Sequence, residues 1–306
     1  MITADIKKKG SPKVSICVVT YNQEKYIEQC LQSLVDQKTN FDFEIVVADD
    51  CSADNTREIV SAFAEKYPKI FRLFLHEKNI GAYSNLRFVH EQALGEYIAH
   101  MDGDDYALPG KLQAQADILD RDNNCNLVWT PVLIETAPNS VHEQNEYFKK
   151  NVLTKKFTRS DLIKYGTIGT NSSKMYRRNM AEELIVYPDF QIIDYFINVF
   201  HVGEGVACFT GEKPLGVYRM GIGIASNGST TKRLTLQSIE YFFKIFKDYR
   251  LECSIAAGFR LLSDVRCLRS TVGISARVFL KTFHWRVIFA LPKEINFMRS
   301  LTVEKK

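Results

Sequence analysis

Short apolar runs alternate with amphipathic stretches along the first half of the chain. Val14–Thr20 is a β-branched apolar run, the pattern of a strand buried on both faces. Tyr21-Asn22-Gln23 breaks it, and Tyr26, Ile27, Cys30, Leu31 and Leu34 then recur at helical spacing. Residues 43–48 predict a second buried strand that ends in Asp49-Asp50. Ser52 or Asp54 is suited to cap the next helix, which carries Ile59, Val60 and Phe63. A third strand at 70–75, a turn at Asn79-Ile80-Gly81, a helix at 83–94 and a fourth strand at 97–101 follow. Pro109 suits the start of a helix that runs to Leu119. Residues 127–134 read as one further strand.

Strand and helix thus alternate over about the first 135 residues. The pattern predicts an α/β fold with a mostly parallel sheet flanked by helices. In such sheets ligands bind beyond the carboxyl ends of the strands. Asp49-Asp50 and Asp102-Gly103-Asp104-Asp105 fall at two of those ends. The middle of the chain is less regular. It has a short helix at 157–165, a small-residue loop at 166–173, a helix at 192–202 with Asp194 in its first turn, and short strands at 206–209 and 215–219. Three glycines lie in the loop at 221–228. Beyond Thr230 the pattern is helical, with one helix carrying Ile239, Phe242, Phe243 and Phe246, a second at 255–268 and a last at 278–291. This predicts a body at 1–231 and a helical C-terminal extension at 232–306.

Composition narrows the classes. The chain has 306 residues, 45% of them hydrophobic and 25% charged, which is ordinary for a folded globular protein. Its seven cysteines are odd in number and scattered, so they suggest neither a disulfide framework nor a zinc site and suit a reducing compartment. Polar, lysine-rich residues begin the chain, and nowhere is an apolar run long enough to span a membrane. These features predict a cytoplasmic protein. The net charge of +4 conceals a basic, aromatic extension. For residues 277–291, peripheral contact with the inner face of the plasma membrane competes with simple packing on the body. Nucleic-acid-binding motifs are absent from the sequence, so no nucleic-acid partner is expected.

The strongest chemical signal is Asp102-Gly103-Asp104-Asp105. Three carboxylates in four residues repel one another, and bound Mn2+ or Mg2+ is the natural compensation, because hard cations prefer carboxylate oxygens. Gly103 is expected to let the backbone turn so that two carboxylates converge. A solvated acidic turn, or a cap on the following helix, is the plain alternative. The preceding buried strand and the second acidic set favour the metal.

These motifs carry a family resemblance. Val14–Thr20 with Tyr21-Asn22, the run from Glu44 through Asp49-Asp50 to Thr56, and Asp102-Gly103-Asp104 resemble, in order and spacing, the three N-terminal motifs of inverting family 2 glycosyltransferases with the GT-A fold. Tyr218-Arg219 is similar to the end of their acceptor-side strand, and the resemblance covers about residues 13–228. It implies a transfer from a UDP-sugar to a hydroxyl of a saccharide or lipid-linked oligosaccharide in envelope polysaccharide synthesis. It also implies that Thr20, Tyr21, Asn22, Asp50, Asn85 and Asp102 bind the nucleotide, with Tyr21 near the base, Asp50 on the uracil N–H and Asp102 on the ribose. Asp104 is then the metal ligand and Asp105 a support or cap. An inverting transfer also needs a base to take the acceptor proton. Asp194 sits where the family places it, with Asp189 as the fallback. Desolvation by Ile192, Ile193 and Tyr195 would raise the pKa of Asp194. A carboxylate that merely caps a helix is the plain alternative.

Two departures from the family pattern stand out. Met220-Gly221-Ile222-Gly223 holds no His after Arg219, and Ser84 rather than Arg precedes Asn85. Other enzyme classes fit less well. A haloacid-dehalogenase-type phosphotransferase places its aspartates after the first strand, which here ends in Thr20-Tyr21. Nucleotidylyltransferases and Rossmann dehydrogenases need a glycine-rich loop at that point. A non-catalytic sugar-nucleotide-binding protein of the same fold is the alternative of a different class.

Overall fold

The structure, a computed structural model, describes residues 11–137, 140–144, 146–180, 190–191, 193–222 and 228–303. In chain order the first elements are β1 (Val14–Thr20), α1 (Ile27–Val35), β2 (Phe43–Asp49), α2 (Thr56–Lys66), β3 (Phe71–Leu75), α3 (Ala82–Glu91) and β4 (Tyr97–Asp102). The middle contributes β5 (Tyr106–Ala107), α4 (Lys111–Arg121), β6 (Cys125–Trp129), β7 (Leu133–Ala137), β8 (Ser140–His142), α5 (Glu146–Asn151), α6 (Arg159–Tyr165) and β9 (Lys174–Arg177). Then come α7 (Asp194–His201), β10 (Val206–Phe209), β11 (Gly216–Arg219), α8 (Gly228–Ile245), α9 (Arg250–Arg266), α10 (Val272–Lys281) and α11 (Val287–Val303).

Seven strands form the main sheet in the order β10-β6-β9-β4-β1-β2-β3. Its pairs are parallel except where β9 runs against β4 and β6. The α/β fold expected from the sequence is therefore present. Val14, Ile16 and Val18 of β1 face a layer built with Ile27, Leu31 and Leu34 of α1 and Leu112 and Leu119 of α4. Cys17, between them, faces the opposite layer with Trp129, Phe157, Phe196 and Phe242. This is the period-two alternation of a strand buried on both faces. Each fully buried Leu, Ile or Phe contributes about 1.5–3 kcal/mol.

Three readings of the sequence change. Residues 127–134 are two strands rather than one. Pro131, which has no N–H for a ladder, separates β6 in the main sheet from β7 in a second sheet of order β5-β11-β7-β8. Residues 278–291 are not one helix. The chain turns after α10 at Thr282, whose hydroxyl donates to the Val278 carbonyl at 2.9 Å and whose carbonyl accepts from Ser254 Oγ. Finally, although the cysteines are free, folding brings Cys125 and Cys208 on adjacent strands to 3.3 Å between sulfurs.

The division of the sequence at 231/232 falls inside α8. Leu236, Ile239 and Phe242 of α8, Ala256 and Phe259 of α9 and Met298 of α11 share a hydrophobic cluster with Tyr195 and Phe196 of α7. Among the described residues, no helix is long and apolar enough to cross a membrane.

Candidate active site

The register of the sheet assembles the site. Thr20 pairs with Asp49, and Val19 with Asp102, so the carboxyl ends of β1, β2 and β4 lie side by side. Thr20 is buried, and its hydroxyl donates to Gln23 Oε1 at 2.8 Å. Tyr21 stands out of the sheet end, 48% exposed. Asn22 adopts a left-handed backbone, φ 52°, and so does Cys51 opposite it, φ 63°. The Asn22 N–H donates to Ser52 Oγ, and its side-chain oxygen accepts from the Ala53 N–H, which locks the two loops together. Left-handed non-glycine residues are held only where surrounding bonds over-determine them, and they gather at functional sites.

Asp50 and Asn85 are occupied by the fold. Asp50 accepts from the Ile80 N–H at 2.7 Å and the Gly81 N–H at 3.0 Å, one on each carboxylate oxygen. It thereby fixes the turn before α3. Asn85 is buried, its amide nitrogen donating to the Ala48 carbonyl at 2.9 Å and its oxygen meeting His76 Nε2 at 3.1 Å. Asn85 ties α3 to β2 rather than facing the open cleft. Asp49 is fully buried, accepting from Ser52 N–H and Oγ and facing Arg57 at 3.6 Å.

The acidic turn is more deeply set than a solvated loop. Asp104 and Asp105 are buried, and 34% of the Asp102 side chain remains exposed. Burial, then the charge of Asp102, pushes the Asp104 carboxyl up to about 6. Burial, then Asp102 and Asp104, pushes Asp105 well above the usual carboxylate range. Gly103 serves space rather than an unusual turn, since it is not among the residues with positive φ. A Cβ there would stand 2.4 Å from Gln23 Oε1 and 3.1 Å from Thr20 Cβ.

Protein cations surround this turn, which the sequence did not reveal. Arg219, 8% exposed, donates from Nη1 to the Asp104 carbonyl at 2.6 Å and from Nε to Glu135 at 2.8 Å. Its Nη2 reaches Gln29, and its backbone N–H donates to Asp105 Oδ1 at 2.8 Å. The guanidinium lies between the rings of Tyr26 and Tyr106, 5.1 and 4.8 Å from their centroids. Buried Lys111 donates to the Ser172 carbonyl at 2.6 Å. Burial pushes its ammonium down to about 8, against the pull of Cys30 and Asp105. Lys174, fully buried on β9, donates to Asn198 Oδ1 at 3.3 Å. It too is pushed down to about 8 by burial, opposed first by Asp194 and then by Asp102.

Behind Asp102 runs a buried chain of hydrogen bonds. His100 Nε2 lies 3.1 Å from Asp102 Oδ1, His90 Nε2 lies 2.9 Å from His100 Nδ1, and the Tyr176 hydroxyl lies 2.7 Å from His90 Nδ1. Burial holds both imidazoles well below their ordinary pKa, so they are neutral. With Asp102 ionised, one assignment of protons satisfies all three bonds. Tyr176 donates to His90, His90 to His100 and His100 to Asp102. Ser172 Oγ holds the other oxygen, donating to Oδ2 at 3.1 Å while accepting from the Asp102 N–H at 3.0 Å. The Asp102 carboxylate is thus fixed from two sides.

Asp194 is the first residue of α7, where the helix dipole favours a carboxylate. Its charge acts on Lys174 and on Tyr218. Asp189, Ile192 and residues 223–227 lie outside the described residues. On the loop that precedes β9, Gly169 packs directly on the Trp129 ring, which a Cβ would meet at 2.4 Å. Trp129 Nε1, Thr130 Oγ1, Thr170 Oγ1 and Asn171 Oδ1 are buried in this region without a hydrogen-bond partner.

The donor set decides which cation suits this corner. Asp102 and Asp104 offer two carboxylates at the end of β4, and Asp105 Oδ2 is buried with no hydrogen-bond partner. Among the described residues, no three His, Cys, Asp or Glu side chains converge on one metal position. The set fits Mg2+ or Mn2+, because a small hard cation held by one or two carboxylates completes its shell with water and substrate phosphates. It does not fit a zinc cage.

Comparison with known proteins agrees with this architecture. Residues 15–185 match the family described as Glycosyl transferase family 2. An uncharacterized protein of Mycobacterium tuberculosis is 33% identical over 207 residues, covering 67% of this chain and 58% of that protein. This chain therefore spans little more than half the length of such relatives. The poly(ribitol-phosphate) β-N-acetylglucosaminyltransferase TarS of Staphylococcus aureus is 38% identical over 110 residues, 35% of this chain and 19% of TarS. The crystal structure of TarS 1–349 in complex with UDP-GlcNAc superposes with a TM-score of 0.67 at 21% identity, covering 96% of this chain and 88% of that one. A mannosyltransferase from Pyrobaculum calidifontis in complex with GDP-Man and Mn2+ superposes with a TM-score of 0.58 at 18% identity, covering 97% and 88%.

Proposed function

The chain belongs to glycosyl transferase family 2, and from that membership we propose that it transfers a sugar, with inversion, from a UDP-sugar to a hydroxyl of a saccharide or lipid-linked oligosaccharide. The TarS name and its UDP-GlcNAc complex support a UDP-sugar donor and an acceptor in cell-envelope polysaccharide synthesis. The single observation that carries the reading is the buried acidic turn beside the ends of β1 and β2, clamped by Arg219 and backed by Lys111 and Lys174.

In this proposal Tyr21, exposed at the cleft, stacks near the base, with Thr20 and Asn22 shaping the pocket beneath it. Asp50 receives the uracil N–H on lone pairs left over from the Ile80 and Gly81 bonds, while Asn85 contributes by holding α3 in place. Asp102 takes the ribose, oriented by His100 and Ser172. Asp104 would hold Mn2+ or Mg2+, with Asp102 beside it. When bound, that ion neutralises charge that grows on the departing diphosphate.

Asp194 is the base that removes the proton of the acceptor hydroxyl as it attacks the anomeric carbon. Lys174 feels the charge of Asp194 and then of Asp102, which links the two carboxylates electrostatically. The orphaned polar atoms of Trp129, Thr130, Thr170 and Asn171 support this part of the cleft as the place where sugar hydroxyls are read. Residues 1–231 carry the chemistry in this scheme, and residues 232–306 form the extension.

A panel of UDP-sugars, screened for Mn2+-dependent hydrolysis and transfer, tests the reading. Asp194→Asn is expected to lose turnover by on the order of 10²–10⁴-fold while keeping its affinity for UDP. Near-normal turnover in that variant would remove Asp194 from the role of base. UDP binding by the wild type without turnover of any sugar nucleotide would favour a non-catalytic binding protein.

A further inference from the structure

The corner between α10 and α11 displays large apolar side chains on a rigid frame. Leu280 is 74% exposed, Trp285 59%, Ile288 63% and Phe289 66%, and Phe283 is also exposed. Monomeric surfaces rarely gather so many large apolar side chains within ten residues. The corner itself is firmly seated. Val278, Thr282 and Val287 are buried, and Phe279 packs against Gly258 of α9. Trp285 and Phe289 lie 6.5 Å apart in an edge-on pair, and the Arg286 guanidinium covers the Trp285 ring at 5.4 Å.

Charge identifies the occupant. Between positions 266 and 293 the chain carries Arg266, Arg269, Arg277, Lys281, Arg286 and Lys293 and no Asp or Glu. We propose that this corner is a docking surface for an anionic phospholipid bilayer. Leu280, Phe283, Trp285, Ile288 and Phe289 would enter the headgroup–acyl boundary, with Arg277, Arg286 and Lys293 around them on the phosphates, while Lys281 pairs with Glu240 at 2.8 Å. A second copy of the chain fits this face poorly, because a two-fold contact would set these cations against their own copies. Glu294 of α11 accepts from Tyr165 at 2.8 Å and Lys164 at 3.3 Å at the end of α6, just before the 166–173 loop. The bilayer would thus hold the chain through the helices that back the cleft. This suits the lipid-linked acceptor in the reading of function above.

The chain's two tryptophans make the test direct. Trp129 is fully buried and Trp285 exposed, so a change in emission on lipid binding reports Trp285. Full-length protein is mixed with phosphatidylcholine vesicles, with and without a minority of phosphatidylglycerol. Flotation and a blue shift with the anionic vesicles are expected. Trp285→Ser/Phe289→Ser and Arg277→Glu/Arg286→Glu should each weaken partition at least about tenfold, with the thermal midpoint unchanged because all four positions are exposed. The proposal is overturned if the wild type stays unbound on anionic vesicles, or if both variants float as the wild type does. It is also overturned if the double apolar variant only dissociates a dimer that never bound lipid. Vesicle binding needs no turnover, so Asp194→Asn should float like the wild type, and failure of the enzymatic reading would leave this result standing.

Discussion

The two sides of the cleft satisfy buried polarity in different ways. Beside β1 and β2, Asn22, Asp50 and Asn85 are met by backbone N–H and C=O groups within 37 residues along the chain. At the end of β4, the acidic turn is surrounded by buried side-chain cations from distant elements, which brace its backbone and its neighbours. Arg219 reaches back 115 residues to Asp104, and Lys111 and Lys174 come from α4 and β9. The first side is a scaffold of local bonds to the backbone. The second is a balance of buried charges that breaks if any one member is removed, because a buried charge without its partner costs more than the pair contributed.

Removing a cation from the second side should therefore do the most damage. Arg219→Met would leave Glu135 unpaired and release the Asp104 carbonyl, and should cost about 3–5 kcal/mol, read as a shift in the urea midpoint. A loss below about 1 kcal/mol, the range of an exposed pair, would show that the turn does not depend on its clamp.

Lys111 sharpens the comparison through pH. Its folded-state pKa, about 8, lies below its ordinary value of 10.5, so between those values the unfolded chain binds more protons. Stability contributed at this position must then rise with pH across that window, by about 1.4 kcal/mol per pKa unit. Relative to Lys111→Met, the wild type should gain stability from pH 8 to pH 10.5 and show no drift below pH 8. A flat difference would mean that Lys111 is ionised throughout.

On the first side the effect should be smaller. Asn85→Ala leaves the Ala48 carbonyl without its donor, which should cost about 1–3 kcal/mol in the same unfolding assay, with UDP affinity falling only through the looser α3. If Asn85→Ala proves more damaging than Arg219→Met, the contrast between the two sides is reversed.

The same contrast explains what the sequence made visible. β1, β2, β4 and the acidic turn were legible because each is a short run whose hydrophobic pattern and terminal residues declare it. Asp104 and Asp194 were assigned from the acidic motif and the family resemblance, and they stay part of the proposal. Arg219 could be recognised as the end of a strand, yet its clamp on a turn more than a hundred residues earlier depends on the pairing of β11 with β5 and β7, which no local pattern encodes. Nothing in the local pattern marks Lys111 or Lys174 as buried. The role of Gly103 was misjudged for a related reason, since its space is limited by Gln23 and Thr20 and not by its own backbone. Asn85 was assigned to the nucleotide from the family resemblance, and its bonds to Ala48 of β2 and to His76 just beyond β3 depend on the sheet and not on its own segment.

The aromatic stack behind α7 has a consequence for how such chains diversify. Phe242 of α8 lies 5.2 Å from Phe196 and 5.4 Å from Tyr195, the residues immediately after Asp194. The helical extension is therefore the back wall against which the proposed base is seated. Grafting an extension from one relative onto the body of another would reset the aim of that carboxylate, even with every residue of the cleft retained. New acceptor specificities in this architecture would then arise most readily when body and extension change together, as an inherited pair and not as interchangeable modules.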